Sequence, residues 1–482
     1  MYFSQLYTIF LCLCIFHRAS AAPQKVLKPT EDSFYDAPNG FEDAEIGTIL
    51  KIRKTPHMLR SVYIPINVQN SWQILVRSES AEGNATAIVT TVIEPYNADP
   101  SKLVSYQVAE DSSSENCAVS YSLEFGASMD TIIAQVEMYF MQAALEQGYY
   151  VVTPDYEGPQ ASFTAGRQAG HAVLDSIRAT LASSNVTGVD PDAEVVMWGY
   201  SGGSLASGWA AALQPKYAPE LEGQILGAAL GGFVTNITLT AVSVDDNIFA
   251  GLIASAINGL MNEYPEFSEL AKDMIRPERL ENFLKADSYC MVPSLIHYAF
   301  DNFFVGNDSY FTQGLDVFKI PFVQDMINSN TLALKNNTEI PQIPLFIYHG
   351  ELDEIVPFSG SQRAYTNWCE WGIESLEFST AMLSGHITEF FMGAPAALTW
   401  VIERFEGKQP VKGCQKTQRL TNLDYPGTPE ALQIYFQAAY ESVFQMDVGP
   451  NGENFTKSDL QRLAKRSFNG FTPIDTSNLK KR

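Results

Sequence analysis

An α/β architecture, a mostly parallel sheet with helices on both faces, is predicted by three features of the sequence. Strand-like and helix-like segments alternate from about residue 72 to 229 and resume at 343. A serine stands between glycines where a buried strand runs into a small-residue helix. A purely helical, aromatic stretch at about 234–340 interrupts the alternation once and reads as an inserted cap over the core.

In chain order, the first 21 residues carry no acid and one base, Arg18. Residues 6–16 are almost wholly apolar, and Ala19-Ser20-Ala21 is a small-x-small cleavage site. This predicts a secretory signal peptide, although no Lys or Arg precedes the apolar run. That run is too short to span a bilayer, and no later segment is long enough, so the mature chain is expected to have no transmembrane segment.

Residues 72–79 and 86–93 are β-rich and flank Ala81-Glu82-Gly83-Asn84, a hairpin signal. A strand at 103–108 leads into the polar loop 110–116. A helix at about 131–147, closed by Gly148, precedes a strand at 149–153. Another helix, about 165–182, repeats Ala172, Leu174, Ile177 and Leu181 at helical spacing. The buried strand 195–198 and its helix follow, then a strand at 224–229. The cap stretch contains the apolar run 248–261 and Phe303-Phe304-Val305. Strands at 345–348 and 376–379 and a helix at 387–404 complete the pattern. After about 451 the chain is polar and locally basic, with Lys465-Arg466 and Lys480-Lys481-Arg482. The expected division is a signal peptide (1–21), a first core segment (22–233), a helical cap or lid (234–340), a second core segment (341–450) and a basic tail (451–482).

The chain has 482 residues and a net charge of −24, too acidic to bind nucleic acid non-specifically or to dock on anionic membranes. Cys12 and Cys14 leave with the signal peptide. Cys117, Cys290, Cys369 and Cys414 remain, an even set that predicts two disulfides in one of three pairings. None has metal-ligand spacing, so neither a metal nor another cofactor is expected. Sequons at Asn84, Asn185, Asn236, Asn307, Asn336 and Asn454 fit a glycosylating secretory route.

The chemistry centres on Gly199-Tyr200-Ser201-Gly202-Gly203. Strand, Gly-x-Ser-x-Gly and helix in that order form the nucleophile elbow of an α/β-hydrolase. A serine hydroxyl needs an imidazole to take its proton and a carboxylate to orient that imidazole, and in this fold both follow the serine in the chain. His57 and His171 precede Ser201. His297 lies in the cap, in an apolar neighbourhood that suits packing. His386, in Gly385-His386 between a strand and a helix, is the best-placed base, with His349 at the end of strand 345–348 as its rival. The loop after that strand holds Glu351, Asp353 and Glu354. Asp353 is the expected acid and the two glutamates are expected to be solvated. The oxyanion that forms during acyl transfer needs two backbone N–H donors. Gly202 supplies one, Asp111 is preferred for the other, and the loop 153–158 is the rival site.

Taken together, Gly199-Tyr-Ser-Gly-Gly203, His349-Gly-x-x-Asp353-Glu-Ile-Val-Pro357, Gly385-His386, Val152-Thr-Pro-Asp-Tyr-Glu-Gly158 and Tyr106-x-x-x-Glu-Asp111 resemble the secretory lipases of yeasts, the Candida lipase family. The resemblance spans about residues 35–450; the basic tail departs from it. It implies a helical cap over the site, hydrolysis of triacylglycerols, a triad of Ser201, Asp353 and His386, and oxyanion donors Asp111 and Gly202. It also implies the disulfides Cys117–Cys290 and Cys369–Cys414. The expectation is therefore a secreted, extracellular, monomeric serine lipase acting on lipid. A soluble-substrate esterase or carboxypeptidase is the alternative within the hydrolases, and a catalytically inactive binding protein the alternative outside them.

Overall fold

The computed structural model describes residues 25–334 and 339–443. The signal peptide at 1–21, the tail at 451–482, Asn336 and Asn454 lie outside them. The strands are β1 (Ile49–Lys54), β2 (Arg60–Ser61), β3 (Ile64–Pro65), β4 (Asn70–Glu79), β5 (Ala85–Glu94), β6 (Asp99–Gln107), β7 (Tyr149–Pro154), β8 (Glu194–Tyr200), β9 (Ile225–Gly231), β10 (Leu345–Gly350), β11 (Ser375–Ala381) and β12 (Gly413–Arg419). The helices of seven or more residues are α1 (Ile132–Leu145), α2 (Gly166–Ala182), α3 (Gly202–Tyr217), α4 (Ile237–Val244), α5 (Gly251–Glu263), α6 (Pro265–Met274), α7 (Pro277–Phe283), α8 (Met291–His297), α9 (Pro321–Ser329), α10 (Phe358–Glu370), α11 (His386–Met392), α12 (Ala394–Phe405) and α13 (Glu430–Val443).

Ten strands form one sheet in the order β1-β4-β5-β7-β6-β8-β9-β10-β11-β12. The β4–β5 hairpin is antiparallel, pairing Glu79 with Ala85 across the predicted turn. From β7 to β12 every pairing is parallel. Burial explains why β8 reads as an unbroken apolar run. Val195 and Met197 enter the core on one face, whereas Val196, Trp198 and Tyr200 enter the core on the other. Helices α2 and α3 cover the first face; α1, α11, α12 and α13 cover the second.

Between β9 and β10 the described residues form helices and loops, with a single isolated bridge from Ile275 to Phe311. The apolar run 248–261 becomes α5. Phe303 and Phe304 are buried there, and Val305 is exposed. Among the described residues no helix is long and apolar enough to cross a membrane.

The structure corrects the sequence reading at the C-terminal side. The predicted helix 387–404 is two helices, α11 and α12, separated at Gly393. A Cβ at Gly393 would sit 2.5 Å from Tyr348 and 2.6 Å from the Glu389 carboxyl, so glycine lets this turn lie directly on β10. His386 is the first residue of α11 rather than a loop residue. The strand before it is not the last, because β12 follows. β12 reads Gly-Cys-Gln-Lys-Thr-Gln-Arg and is largely exposed, so it carries no apolar signal. β1 (Ile-Leu-Lys-Ile-Arg-Lys), at the opposite edge, is half-buried and equally cryptic.

The cysteines are bonded as Cys117–Cys290 and Cys369–Cys414. The first joins the segment after β6 to the residue preceding α8. The second joins α10 to β12 and closes a loop with a sequence separation of 45. Asn84, Asn185 and Asn307 are exposed, whereas Asn236 is half-buried and caps α4 through the Leu239 N–H at 3.0 Å. Replacing Cys369 and Cys414 by serine should lower unfolding stability by up to about 4 kcal/mol, the loop-closure entropy returned to the unfolded chain. Urea titration of the double variant against the parent measures it.

Candidate active site

Ser201 stands between β8 and α3 with φ 52° and ψ −123°, a strained conformation for a residue with a side chain. Its neighbours make that turn fit. A Cβ on Gly199 would run into the Gly203 carbonyl, and a Cβ on Gly203 into the Gln107 carbonyl on β6. Hydrogen bonds on both sides of Ser201 hold the turn. The Ser201 N–H donates to Gly231 O at 2.9 Å, and its carbonyl accepts from the N–H groups of Ser204 and Leu205 at 2.9 and 3.1 Å.

The two partners arrive from the carboxyl ends of β10 and β11. Ser201 Oγ lies 2.9 Å from His386 Nε2, and His386 Nδ1 lies 2.7 Å from Asp353 Oδ2. The other Asp353 oxygen accepts from the Ile355 and Val356 N–H groups at 3.0 and 2.7 Å, so the Val-Pro segment folds back around the acid. Burial alone would raise the Asp353 carboxyl. The positive field and hydrogen bond of His386, with a further hydrogen bond from His349, outweigh it and hold the group well below the ordinary carboxylate range. Burial lowers His386, but the Asp353 carboxylate outweighs that and the net shift is upward.

Glu354 is not simply solvated. Its Oε2 accepts the His386 N–H at 2.7 Å and so caps the start of α11. Glu351 accepts from Thr380 and Gln418, both at 2.7 Å. Neither contact was visible in the sequence, because one depends on which helix end meets the loop and the other on which strands lie beside it. His349, the rival base, lies 3.0 Å from Asp353 Oδ2, while the other three histidines sit apart from the triad. His171 Nδ1 lies 3.2 Å from Ser80 O, His297 Nε2 lies 2.9 Å from Asn282 Oδ1, and His57 lies 3.9 Å from Glu124.

Asp111 follows β6 with φ 49° and faces Gly202. Its Oδ1 is buried against Gly202 without a hydrogen-bond partner among the described residues, and its N–H faces the Glu157 carboxyl. Ser201, Gly202 and Asp111 share one cavity whose remaining wall is almost wholly apolar. Leu205, Val234, Ile237, Ala241, Val244, Leu252, Ile253, Ala256, Ile355 and Val356 line it, with Phe163, Thr164 and Thr240. Helices α4 and α5 supply half of these residues. Among the described residues no cluster has the makings of a metal site.

The elbow, its partners and the doubly covered sheet define a lipase-type hydrolase of the α/β-hydrolase fold. The chain belongs to the secretory lipase family, whose model matches residues 123–413. It is 51% identical to Lipase 1 of Candida albicans over 442 residues, 91% of this chain and 94% of that protein. Lipase A of Arthroderma benhamiae is 40% identical over 415 residues, 84% of this chain and 86% of its own length. The crystal structure of Candida antarctica lipase A in its closed state superimposes with a TM-score of 0.77 at 28% identity, covering 87% of this chain and 96% of that one. A rice cell wall degrading esterase from Xanthomonas oryzae, 15% identical with a TM-score of 0.57, shares the fold.

Burial raises a group of carboxyls around this site. Asp111 and Asp155 are pushed up to about 7 and Glu137 to about 8. Glu110 and Glu157, paired with each other, move further in the same direction. Each binds its proton more tightly folded than unfolded, so the folded state holds extra protons between the ordinary carboxylate range and about 8. Stability should fall as pH rises through that window. His386, raised in the fold, acts with the same sign. The depressed Asp353 costs stability only at pH below the ordinary carboxylate range. Melting temperatures taken from about pH 4.5 to about pH 8 should decline, and Asp155→Asn should reduce the slope. A melting temperature that rises with pH across this range contradicts the assignment.

Proposed function

We propose that this chain is a secreted triacylglycerol lipase in which Ser201 is the nucleophile, His386 the general base and acid, and Asp353 the orienting carboxylate. The observation that carries this reading is the unbroken relay Asp353–His386–Ser201 at the end of an apolar cavity. His386 takes the Ser201 proton as Oγ attacks the ester carbonyl carbon. The Gly202 N–H, at the start of α3, stabilises the oxyanion, and Asp111, whose N–H faces Glu157, contributes through its neutral carboxyl beside Gly202. His386 then protonates the departing glyceride oxygen. The acyl-enzyme is cleaved when His386 deprotonates a water that attacks the same carbon. The cavity holds the acyl chain, and the helical segment 234–340 acts as a cap on a core made of 22–233 and 341–450. Membership of the secretory lipase family, together with two disulfides, supports an extracellular location.

Ser201→Ala should lower kcat about 10⁶-fold and Asp353→Asn about 10⁴-fold, with the fold intact. Rates on a triacylglycerol emulsion, a soluble nitrophenyl ester and a blocked dipeptide separate a lipase from an esterase and a carboxypeptidase. An emulsion rate no higher than the soluble-ester rate removes the lipid assignment. Activity in the Ser201→Ala protein removes the triad.

The cavity makes its own prediction. Ala256→Trp should cut kcat/KM for long acyl chains on the order of tenfold and leave butanoyl esters unchanged, because only the long chain needs that space. An acyl-chain series measures it, and equal losses at every length would place the acyl chain elsewhere.

A further inference from the structure

His349, the rival candidate for the base, is tied to the same carboxylate as His386. It is fully buried within β10, and its Nε2 lies 3.0 Å from Asp353 Oδ2, the oxygen that also meets His386 Nδ1 at 2.7 Å, and 3.1 Å from Val356 O, a second acceptor for the same proton. The tautomer of His349 follows from its other nitrogen. The Phe233 N–H can only donate, and it reaches His349 Nδ1 at 3.1 Å. Nδ1 therefore carries the lone pair and Nε2 carries the proton. Ser361 Oγ closes the ring edge, 2.8 Å from Nδ1 and 2.9 Å from Phe233 O.

We infer that His349 is a positioning residue: it donates a second hydrogen bond to Asp353 Oδ2, aims that carboxylate at His386 and tempers the basicity of His386. The inference rests on the triad reading above. Its physical content is the sharing of one oxygen between two N–H donors. With both in place, the charge on Oδ2 is divided between two histidines. Without His349, the whole pull of that oxygen falls on His386, which then holds its proton more tightly. Carboxylate aim suffers as well, because one of the N–H groups fixing it is gone.

His349 also links the loops that carry the serine and the acid. Phe233 belongs to the turn after β9, where Gly231 O accepts the Ser201 N–H and the Gly232 N–H donates to Tyr348 O at 3.0 Å. The other ionisable groups facing the pair are Glu354 under the His386 N–H, Asp111 across the cleft, Glu389 on α11, and Tyr200, whose hydroxyl donates to His386 O. All are common to the parent and to any variant at position 349.

Two substitutions separate positioning from packing. His349→Asn has a side chain too short to reach Asp353 but able to accept the Phe233 N–H. His349→Gln keeps an N–H donor near the place of Nε2. For hydrolysis of a soluble nitrophenyl ester, His349→Asn should lower kcat between about ten- and a hundredfold, with KM little changed. The acid limb of its kcat/KM–pH profile should move upward by about half a pH unit, and His349→Gln should return both quantities toward the parent. If His349→Asn does not fold, His349→Leu is read in the same way. Thermal melting and the downfield Nδ1 proton resonance of His386 are recorded for each variant. An acid limb and resonance that stay at parental values in a folded donor-lacking variant overturn the inference. So does His349→Gln behaving no better than His349→Asn. Ser201→Ala and His386→Ala run alongside: activity in either sinks the triad itself, whereas two inactive proteins with an unmoved limb sink only the role of His349.

Discussion

Asp353 keeps a negative charge out of water, and the arrangement of the site depends on that. Its side chain is fully buried, yet the N–H groups of Ile355 and Val356 and His386 Nδ1 converge on it, with His349 Nε2 a further 3.0 Å neighbour. A buried carboxylate without such partners would take up a proton instead of ionising. The donors come from its own loop, the end of β10 and the start of α11, so the charge fixes the relative position of three pieces of chain. Movement of any one leaves part of a buried charge uncompensated, a cost far greater than the loss of a surface contact.

The serine turn follows a different rule. It is fixed by close approach, with Gly199 and Gly203 letting α3 lie against β6 and β8 while Ser201 sits at positive φ. That constraint is local and leaves a local mark, which is why the elbow was legible from five residues. Asp353 and His386 were legible by chain order and by their places after apolar strands. The Glu354 cap on α11 was not, because it joins residues 32 apart only after the sheet has formed. The edge strands failed for another reason. β1 and β12 bury little, so the alternation that betrays a strand is missing from both. The split between α11 and α12 hinges on Gly393, whose lack of a side chain matters only once Tyr348 is known to lie beneath it.

The loop that carries Asp111 rests on buried acids that burial makes harder to ionise. Asp155 accepts the Ser120 N–H and hydroxyl at 2.7 and 2.6 Å, Glu137 accepts from Tyr106 and from the Ala109 N–H, both at 2.8 Å, and Glu110 pairs with Glu157. These groups lie on both sides of the segment that leads from β6 to Cys117. In neutral form such groups need few cationic partners. An acidic molecule can therefore bury carboxyls beside its reaction centre, and the disulfide from Cys117 to Cys290 holds the same segment against the helices above it.

β12 forms one end of the ten-stranded sheet, where unpaired backbone groups would invite a second chain to add on. Its sequence discourages this. Lys416 lies about 5 Å from the Phe358 ring, and Arg419 reaches across to Ser379 and over Tyr425, so each cation of the edge strand is held on a neighbouring ring. Two copies meeting edge to edge would bring like charges together and displace both side chains from their rings. The two cations that pack on these rings thus also guard the edge of the sheet against strand addition by a second copy.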